Sequence, residues 1–267
     1  MAKRKRLLTE ASVLKLWKEG RGQGEGSDYK PWLYIHDVAS KGLVTRIQGW
    51  KHQREHHLLS NGEFAYFYQL EWSEQVVDIR EQFPLWPIEE TQEIADRLGI
   101  KHPDPRQGEN NIAVMTSDIR ITTANGGDFV RTVKTPSDLK KRRTIEKFEI
   151  ERCYWEKRGV NWGIVIANDI PKDFVRNMTW IHPHKYFVSS EILKDQFGQI
   201  AEEFTALVCN QSTSLAKSAK DLESKYGLKV GTGLLLARHL IATRKWKVDM
   251  DIWINPSKPL NLPKERP

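Results

Sequence analysis

Long apolar runs are missing from this sequence. None approaches the roughly 20 residues that cross a membrane, so no membrane-embedded part is expected. The opening MAKRKRLLTEASVLKLWKEG has the positive start of a leader peptide but not the apolar segment that should follow. The spacing of Leu8, Val13, Leu14 and Trp17 instead predicts an amphipathic helix. Cysteine is scarce as well. Cys153 and Cys209 form no CxxC pair, which argues against a disulfide or zinc framework and fits buried thiols in a reducing cytosol. Repeats and low-complexity segments are absent. The Gly-rich stretch GRGQGEGSDYKP (20–31) is not a phosphate-binding P-loop, because Lys30 is followed by Pro31 rather than Ser or Thr.

What is present is a 267-residue chain with 39% apolar residues and ten Trp, enough for a sizeable core with large aromatic anchors. Its net charge of +7 is uneven. Residues 1–50 hold ten Lys and Arg against five acids, and residues 201–267 hold eleven against seven. The middle is slightly acidic, at −2. Basic flanks around an acidic centre suit a protein that grips phosphates and keeps carboxylates for a metal, although a solvated basic surface has the same composition.

Periodicity and punctuation give the order of elements. Asn61 is placed to cap a helix over 62–71, and Val76–Phe83 reads as a strand. A helix follows near 90–99, then a loop at Pro103 and Pro105 and a strand over 112–123. Its hairpin partner is expected at 128–134, a long helix over 138–158, and a nearly all-apolar strand at Val160–Ala167. This order predicts an α/β domain with a mixed central sheet over residues 1–168. A boundary is expected near 168–172. Beyond it, helices at about 190–208, 214–226 and 232–243 and a strand in KWKVDMDIWIN (245–255) predict a mainly helical, winged-helix-like domain over 169–267. The helix GLLLARHLIAT has only Arg238 and His239 as its polar middle, which favours packing or a protein partner over base readout.

The chemistry-bearing stretch is TSDIRITTANGGDFVRTVKTP (116–136). If Asn125, Gly126 and Gly127 form a three-residue loop, Ala124 pairs with Asp128, and Asp118 sits opposite Lys134 with Thr132 on the same face. A two- or four-residue loop would separate the two charges. An exposed Asp–Lys cross-strand pair is otherwise an ion pair worth under about 1 kcal/mol. The same spacing, an Asp followed about a dozen residues later by x-x-Lys on the partner strand, matches the core of restriction-endonuclease-like nucleases. There an Asp is a hard oxygen ligand for Mg²⁺, and a Lys steadies the charge that builds on a phosphate. Glu63, at the start of the preceding helix, adds a carboxylate to such a site, although an acid in a first turn also serves the helix dipole.

GRGQG followed by DYKPWL, then HHLLSNGE, DIREQFPL, GIKHP, VMTSD, VK and EKFEIERCYW, keep their order over residues 20–160. In these blocks the chain resembles the TnsA endonuclease subunits of heteromeric cut-and-paste transposases. The resemblance implies a Mg²⁺-dependent DNA endonuclease, with Mn²⁺ able to substitute, in the bacterial cytoplasm. It implies cleavage of the 5′, non-transferred strands at transposon ends beside a DDE transposase, TnsB, and an ATPase regulator, TnsC. Position by position it makes Glu63 and Asp118 metal ligands with the Val133 carbonyl, and Lys134 the catalytic lysine. Glu151 matches an acid that the family needs, although its helix has the alternating charges of a solvated face. Thr132 departs from the pattern, standing where the family carries a longer Gln or Glu. A catalytically weak or inactive assembly subunit and a free-standing nuclease on the same core are the competing expectations.

His52, His56 and His57, and His182 and His184, lack matching cysteines or a distant HxxxH and are expected to be basic or packing residues rather than zinc ligands. Asp78, Arg80 and Glu81 are read either as support for the site or DNA, or as an internal ion-pair network.

Overall fold

The computed structural model describes residues 8–38, 43–103, 111–186, 196–209 and 213–262. The chain divides into two units, Met1–Ile170 and Pro171–Pro267.

The first unit contains, in chain order, β1 (Leu8–Thr9), α1 (Glu10–Lys18), β2 (Thr45–Gln48), β3 (Glu55–Leu58), α2 (Asn61–Trp72), β4 (Val76–Pro84), α3 (Ile88–Arg97), β5 (Asn111–Ile112), β6 (Thr116–Thr123), β7 (Asp128–Lys134), α4 (Pro136–Leu139), α5 (Arg142–Glu156) and β8 (Asn161–Ile166). A four-stranded mixed sheet in the order β4-β6-β7-β8 organises it. The first three strands are antiparallel, and β8 returns parallel to β7 after the α5 crossover. Alternate residues of β7 show the two faces. Val130 is fully buried in a cluster with Ile94 and Ala95 of α3 and Ile150 and Trp155 of α5. Val133 points the other way, where its Cγ1 lies 3.1 Å from the place a Cβ on Gly62 of α2 would take. Glycine at position 62 therefore lets the start of α2 approach the sheet closely.

Four expectations shift. Ser60, not Asn61, caps α2, its Oγ accepting the Glu63 N–H, so Asn61 is the first helical residue. The expected strand 112–123 is two strands, because β5 pairs with β1 rather than continuing into β6. The expected helix 138–158 breaks at Lys141, whose ψ of 112 is extended; Thr135 caps the short α4 before it, through the Asp138 N–H. On α1, Val13 is buried but Leu14 is 46% exposed, since the helix turns Val13, Leu16 and Trp17 toward Trp32 and Ile88.

The second unit holds α6 (Lys172–Ile181), α7 (Phe197–Cys209), α8 (Leu215–Tyr226) and α9 (Thr232–Ala242). Gly227, at φ 64, ends α8 in the left-handed form that glycine adopts without strain. The buried side of α9 is Leu236, Ala237, Leu240 and Ile241, while Arg238 stacks over Trp180, consistent with a packing helix. Residues 190–195 of the expected helix at 190–208 lie outside the described residues.

KWKVDMDIWIN is not a strand, and among the described residues the second unit has none, so the wing is absent there. Alternating apolar residues suggest a strand, but a strand needs a ladder partner, and here Asn177 of α6 serves the backbone instead. Its Nδ2 donates to the carbonyls of Met250 and Ile252, at 3.0 and 2.8 Å, and its Oδ1 accepts the Ile254 N–H at 2.9 Å. Asp249 adds a turn by accepting the Asp251 N–H. Cys153 is half-buried and Cys209 exposed, so only the first approaches the expected buried thiol. Among the described residues, no helix is long and apolar enough to cross a membrane.

Candidate active site

The hairpin between β6 and β7 closes one residue earlier than the sequence suggests. Thr122 faces Asp128, and the Thr123 N–H donates to Gly127, so the three loop residues are Ala124, Asn125 and Gly126. Gly126 takes the left-handed position at φ 79, and Asn125 Oδ1 accepts the Gly127 N–H. Continued in register, Asp118 lies across from Thr132, and Lys134 is its diagonal neighbour. Diagonal neighbours remain within reach of a long side chain. Lys134 Nζ donates to Asp118 Oδ2 at 2.7 Å.

The regular ladder stops before the site. Paired residues of β6 and β7 run only from Thr122–Asp128 to Ile119–Arg131. The β4–β6 pairing likewise passes from Glu81–Ile119 to Phe83–Ser117, skipping Gln82 and Asp118. In the gap, Asp118 Oδ2 accepts the Val133 N–H at 2.8 Å as well as the Lys134 ammonium. Side-chain alternation is broken here too. Ser117 and Thr132 would fall on opposite faces of an unbroken ladder, yet both donate to Oε1 of Glu151, at 2.6 and 2.7 Å. Trp155 Nε1 donates to Ser117 Oγ and fixes that hydroxyl from behind.

Glu63 reaches the same place from α2. Its Oε1 accepts the Ser60 hydroxyl at 2.9 Å, and its Oε2 accepts the Leu59 N–H at 2.9 Å and the Gln82 carboxamide at 3.2 Å. Three carboxylates, Glu63, Asp118 and Glu151, are thus buried together with one ammonium. Burial, and then the charge of Asp118, push Glu63 up to about 7. Burial likewise pushes Glu151 up to about 7, against the bonds it receives from Ser117 and Thr132. Burial works against the Lys134 ammonium, but Asp118, Glu63 and Glu151 outweigh it and hold its pKa above the ordinary value.

The remaining candidates of the first unit lie on and around β4. Glu81 is fully buried and accepts from both Arg54 Nη atoms, at 2.8 and 2.6 Å, and from the His57 N–H, with His56 Nδ1 at 2.9 Å. Asp78 accepts the Gly26 N–H and lies 3.5 Å from His52, and Arg80 donates to Thr122 Oγ1. Asp78 pairs with Arg80 at 3.3 Å and Glu81 with Arg54, so these charges make internal ion pairs, one of their two readings. His184 Nε2 lies 3.0 Å from Arg238, and His182 is buried in the same turn. Among the described residues, no group of three or more His, Cys, Asp or Glu is arranged to hold a metal ion as it stands.

Sequence reasoning missed Ser60, Ser117 and Gln82. The pattern Ser-x-x-Glu at 60–63 is a capping-box signal that points to Ser60. Neither Ser117 nor Gln82 carries a local signal, because each acts through a partner distant in sequence.

Two family models match the chain: TnsA-like endonuclease N terminal over residues 73–167, and TnsA endonuclease C terminal over residues 169–250. The chain is also similar to transposon Tn7 transposition protein TnsA of Escherichia coli, 36% identical over 244 residues that cover 91% of this chain and 87% of that protein. With the N- and C-terminal models in tandem and a relative aligned along nearly its whole length, this chain belongs to the TnsA endonuclease family.

Proposed function

We propose that this protein is the Mg²⁺-dependent endonuclease of a Tn7-type transposition complex, cutting the 5′, non-transferred strands at transposon ends. The observation that carries the reading is the Asp118 carboxylate, held by the Val133 N–H and the Lys134 ammonium beside two further buried carboxylates. Three buried acids against one ammonium leave an excess of negative charge, and the donors are hard oxygens, a set that fits Mg²⁺ or Mn²⁺. Glu63 and Asp118 would hold the ion. An extended residue directs its N–H and C=O to the same edge of the strand, so the Val133 carbonyl faces the gap at Asp118 and is a third donor. When bound, such a cation neutralises phosphate charge and lowers the pKa of a water.

The chain's own groups supply the rest. Lys134 stays protonated and steadies the charge that develops on the scissile phosphate. Thr132 gives its hydroxyl to Glu151, a carboxylate of α5 near enough to Asp118 for their charges to interact. On this reading Thr132 serves the site through Glu151. The exposed cations Lys140, Lys141 and Arg142, just beyond β7, suit contacts to flanking DNA phosphates. The partners on this reading are transposon-end DNA, the transposase TnsB, and the regulator TnsC, the last engaged by the second unit, and the compartment is the bacterial cytoplasm.

The test is a reconstituted transposition reaction in which 5′ and 3′ cleavage are scored separately. Asp118→Ala and Lys134→Met are expected to abolish 5′ cleavage while 3′ cleavage continues. Intact 5′ cleavage by Asp118→Ala would overturn the assignment.

A further inference from the structure

Gln82 has a backbone that a strand does not call for. It lies inside β4 at φ 48, a left-handed conformation that is uncommon for residues other than glycine, and it is 3% exposed. Such a residue persists only where its surroundings over-determine it. Here the loop of residues 20–32 does so. The Tyr29 hydroxyl donates to the Glu81 carbonyl at 2.9 Å, and the Trp32 N–H donates to the Gln82 carbonyl at 3.2 Å. Gly22 lies flat on Pro84, where a Cβ would come within 2.2 Å of Pro84 Cγ. The blocks GRGQG and DYKPWL thus clamp β4 on both sides of Gln82.

The clamp delivers a carboxamide to the site. Thr116 Oγ1 donates to Gln82 Oε1 at 3.1 Å, which fixes the sense of the amide, and Gln82 Nε2 then donates to Glu63 Oε2 at 3.2 Å. A structural account of the backbone alone would favour glycine at this position, since glycine adopts φ 48 without strain. What glycine lacks is the amide.

We propose that Gln82 is a positioning residue for cleavage: its carboxamide, oriented by Thr116, holds the Glu63 carboxylate in the attitude that receives a divalent cation beside Asp118. This rests on the reading of Glu63 and Asp118 as metal ligands. Partners that orient a ligand in this way typically contribute about 10–100-fold to metal affinity or activity.

Two readouts on the full chain test it: the Mg²⁺ or Mn²⁺ concentration that half-saturates the cation-induced rise in melting temperature, and the cation dependence of 5′ cleavage in the complete reaction. Gln82→Gly and Thr116→Val are expected to raise both half-saturating concentrations about 10–100-fold. Thr116→Ser, which keeps the hydroxyl, is expected to stay near the native value. The Thr116 pair leaves Gln82 in place, so it decides the matter even where Gln82→Gly does not fold. Native cation dependence in Thr116→Val, or a loss in Thr116→Ser as large as in Thr116→Val, would overturn the proposal. Asp118→Ala run alongside separates the two levels. If it still cuts, the reading of the metal site fails. If it is inactive while Gln82→Gly and Thr116→Val behave as native, only the role of Gln82 fails.

Discussion

Arg54→Met is the sharpest probe of what holds β4 in place. Arg54 is 9% exposed and Glu81 is fully buried, and the guanidinium covers both carboxylate oxygens at 2.8 and 2.6 Å. Its Nη2 also donates to the Ile79 carbonyl at 2.9 Å. Removing one partner of a buried pair costs about 3–5 kcal/mol, because the other charge is left behind. Glu81 would keep His56 and the His57 N–H, so the low end, about 3 kcal/mol, applies. For a unit of this size, that corresponds to a fall in melting temperature of about 6–12 °C. The assay is thermal unfolding of Arg54→Met, Glu81→Gln and the double variant. Glu81→Gln keeps an acceptor for His57, so the double variant should be less destabilised than the two single costs combined, by about 2 kcal/mol. A melting temperature within about 2 °C of native for Arg54→Met, or single costs that add within about 0.5 kcal/mol, would refute the claim that the pair acts as a buried unit.

Acid should find the same pair. Burial alone would raise the Glu81 carboxyl, but His56 and the bonds from Arg54 outweigh it and hold the group well below the usual carboxylate range. A depressed folded pKa means that stability is present above the unfolded value of about 4.3 and is lost as pH falls below it. Urea titrations from pH 6 down should therefore steepen below about pH 4.3, and less so in Glu81→Gln; parallel curves would exclude Glu81 as the source. Thr132→Val removes one donor from Glu151 Oε1 without changing size, and should lower 5′ cleavage about tenfold while the melting temperature moves little. Unchanged cleavage would free Glu151 from any functional dependence on Thr132. In the second unit, Asn177→Asp exchanges two donors for an acceptor facing the Met250 and Ile252 carbonyls, and should cost about 2–3 kcal/mol by chemical denaturation. A loss under about 0.5 kcal/mol would show that those carbonyls do not depend on it.

The elements that could be read from the sequence are those whose signals are local. The strand at Val76 and the hairpin pair around Asp118 and Lys134 carry the β-rich alternation of a half-buried sheet, and α2 carries a capping box and an aromatic face. Local patterns failed where a distant side chain decides the outcome. KWKVDMDIWIN has strand periodicity, but Asn177, far earlier in the chain, satisfies its backbone and leaves no ladder to form. The hairpin loop moved by one residue, and the pairing register by two, because Gly126, not Gly127, takes the positive φ, and two adjacent glycines offer no way to choose between them. The meeting of Asp118 with Lys134 survived that shift only because the loop still has three residues, which preserves which side chains share a face.

The failure of the ladder also explains why the site lies where it does. In an unbroken pair of strands, the Val133 N–H would be spent on a carbonyl of β6, and the Asp118 side chain would stand clear of the sheet. Because regular pairing stops at Ile119–Arg131, and Gln82 leaves the neighbouring ladder at the same level, that N–H is free to bind the carboxylate. Asp118 is drawn into the gap, and the next residue along β7 brings its ammonium to the same oxygen. Ser117, released from strict alternation, joins Thr132 on Glu151, while Gln82 turns to Glu63. The three carboxylates come from α2, β6 and α5, and each is oriented by a donor that regular pairing would have directed elsewhere. An ordinary extended residue at 82 would therefore withdraw the carboxamide from Glu63 while Ser60 and Leu59 remain, which ties the irregular backbone of β4 to the carboxylate that faces the hairpin.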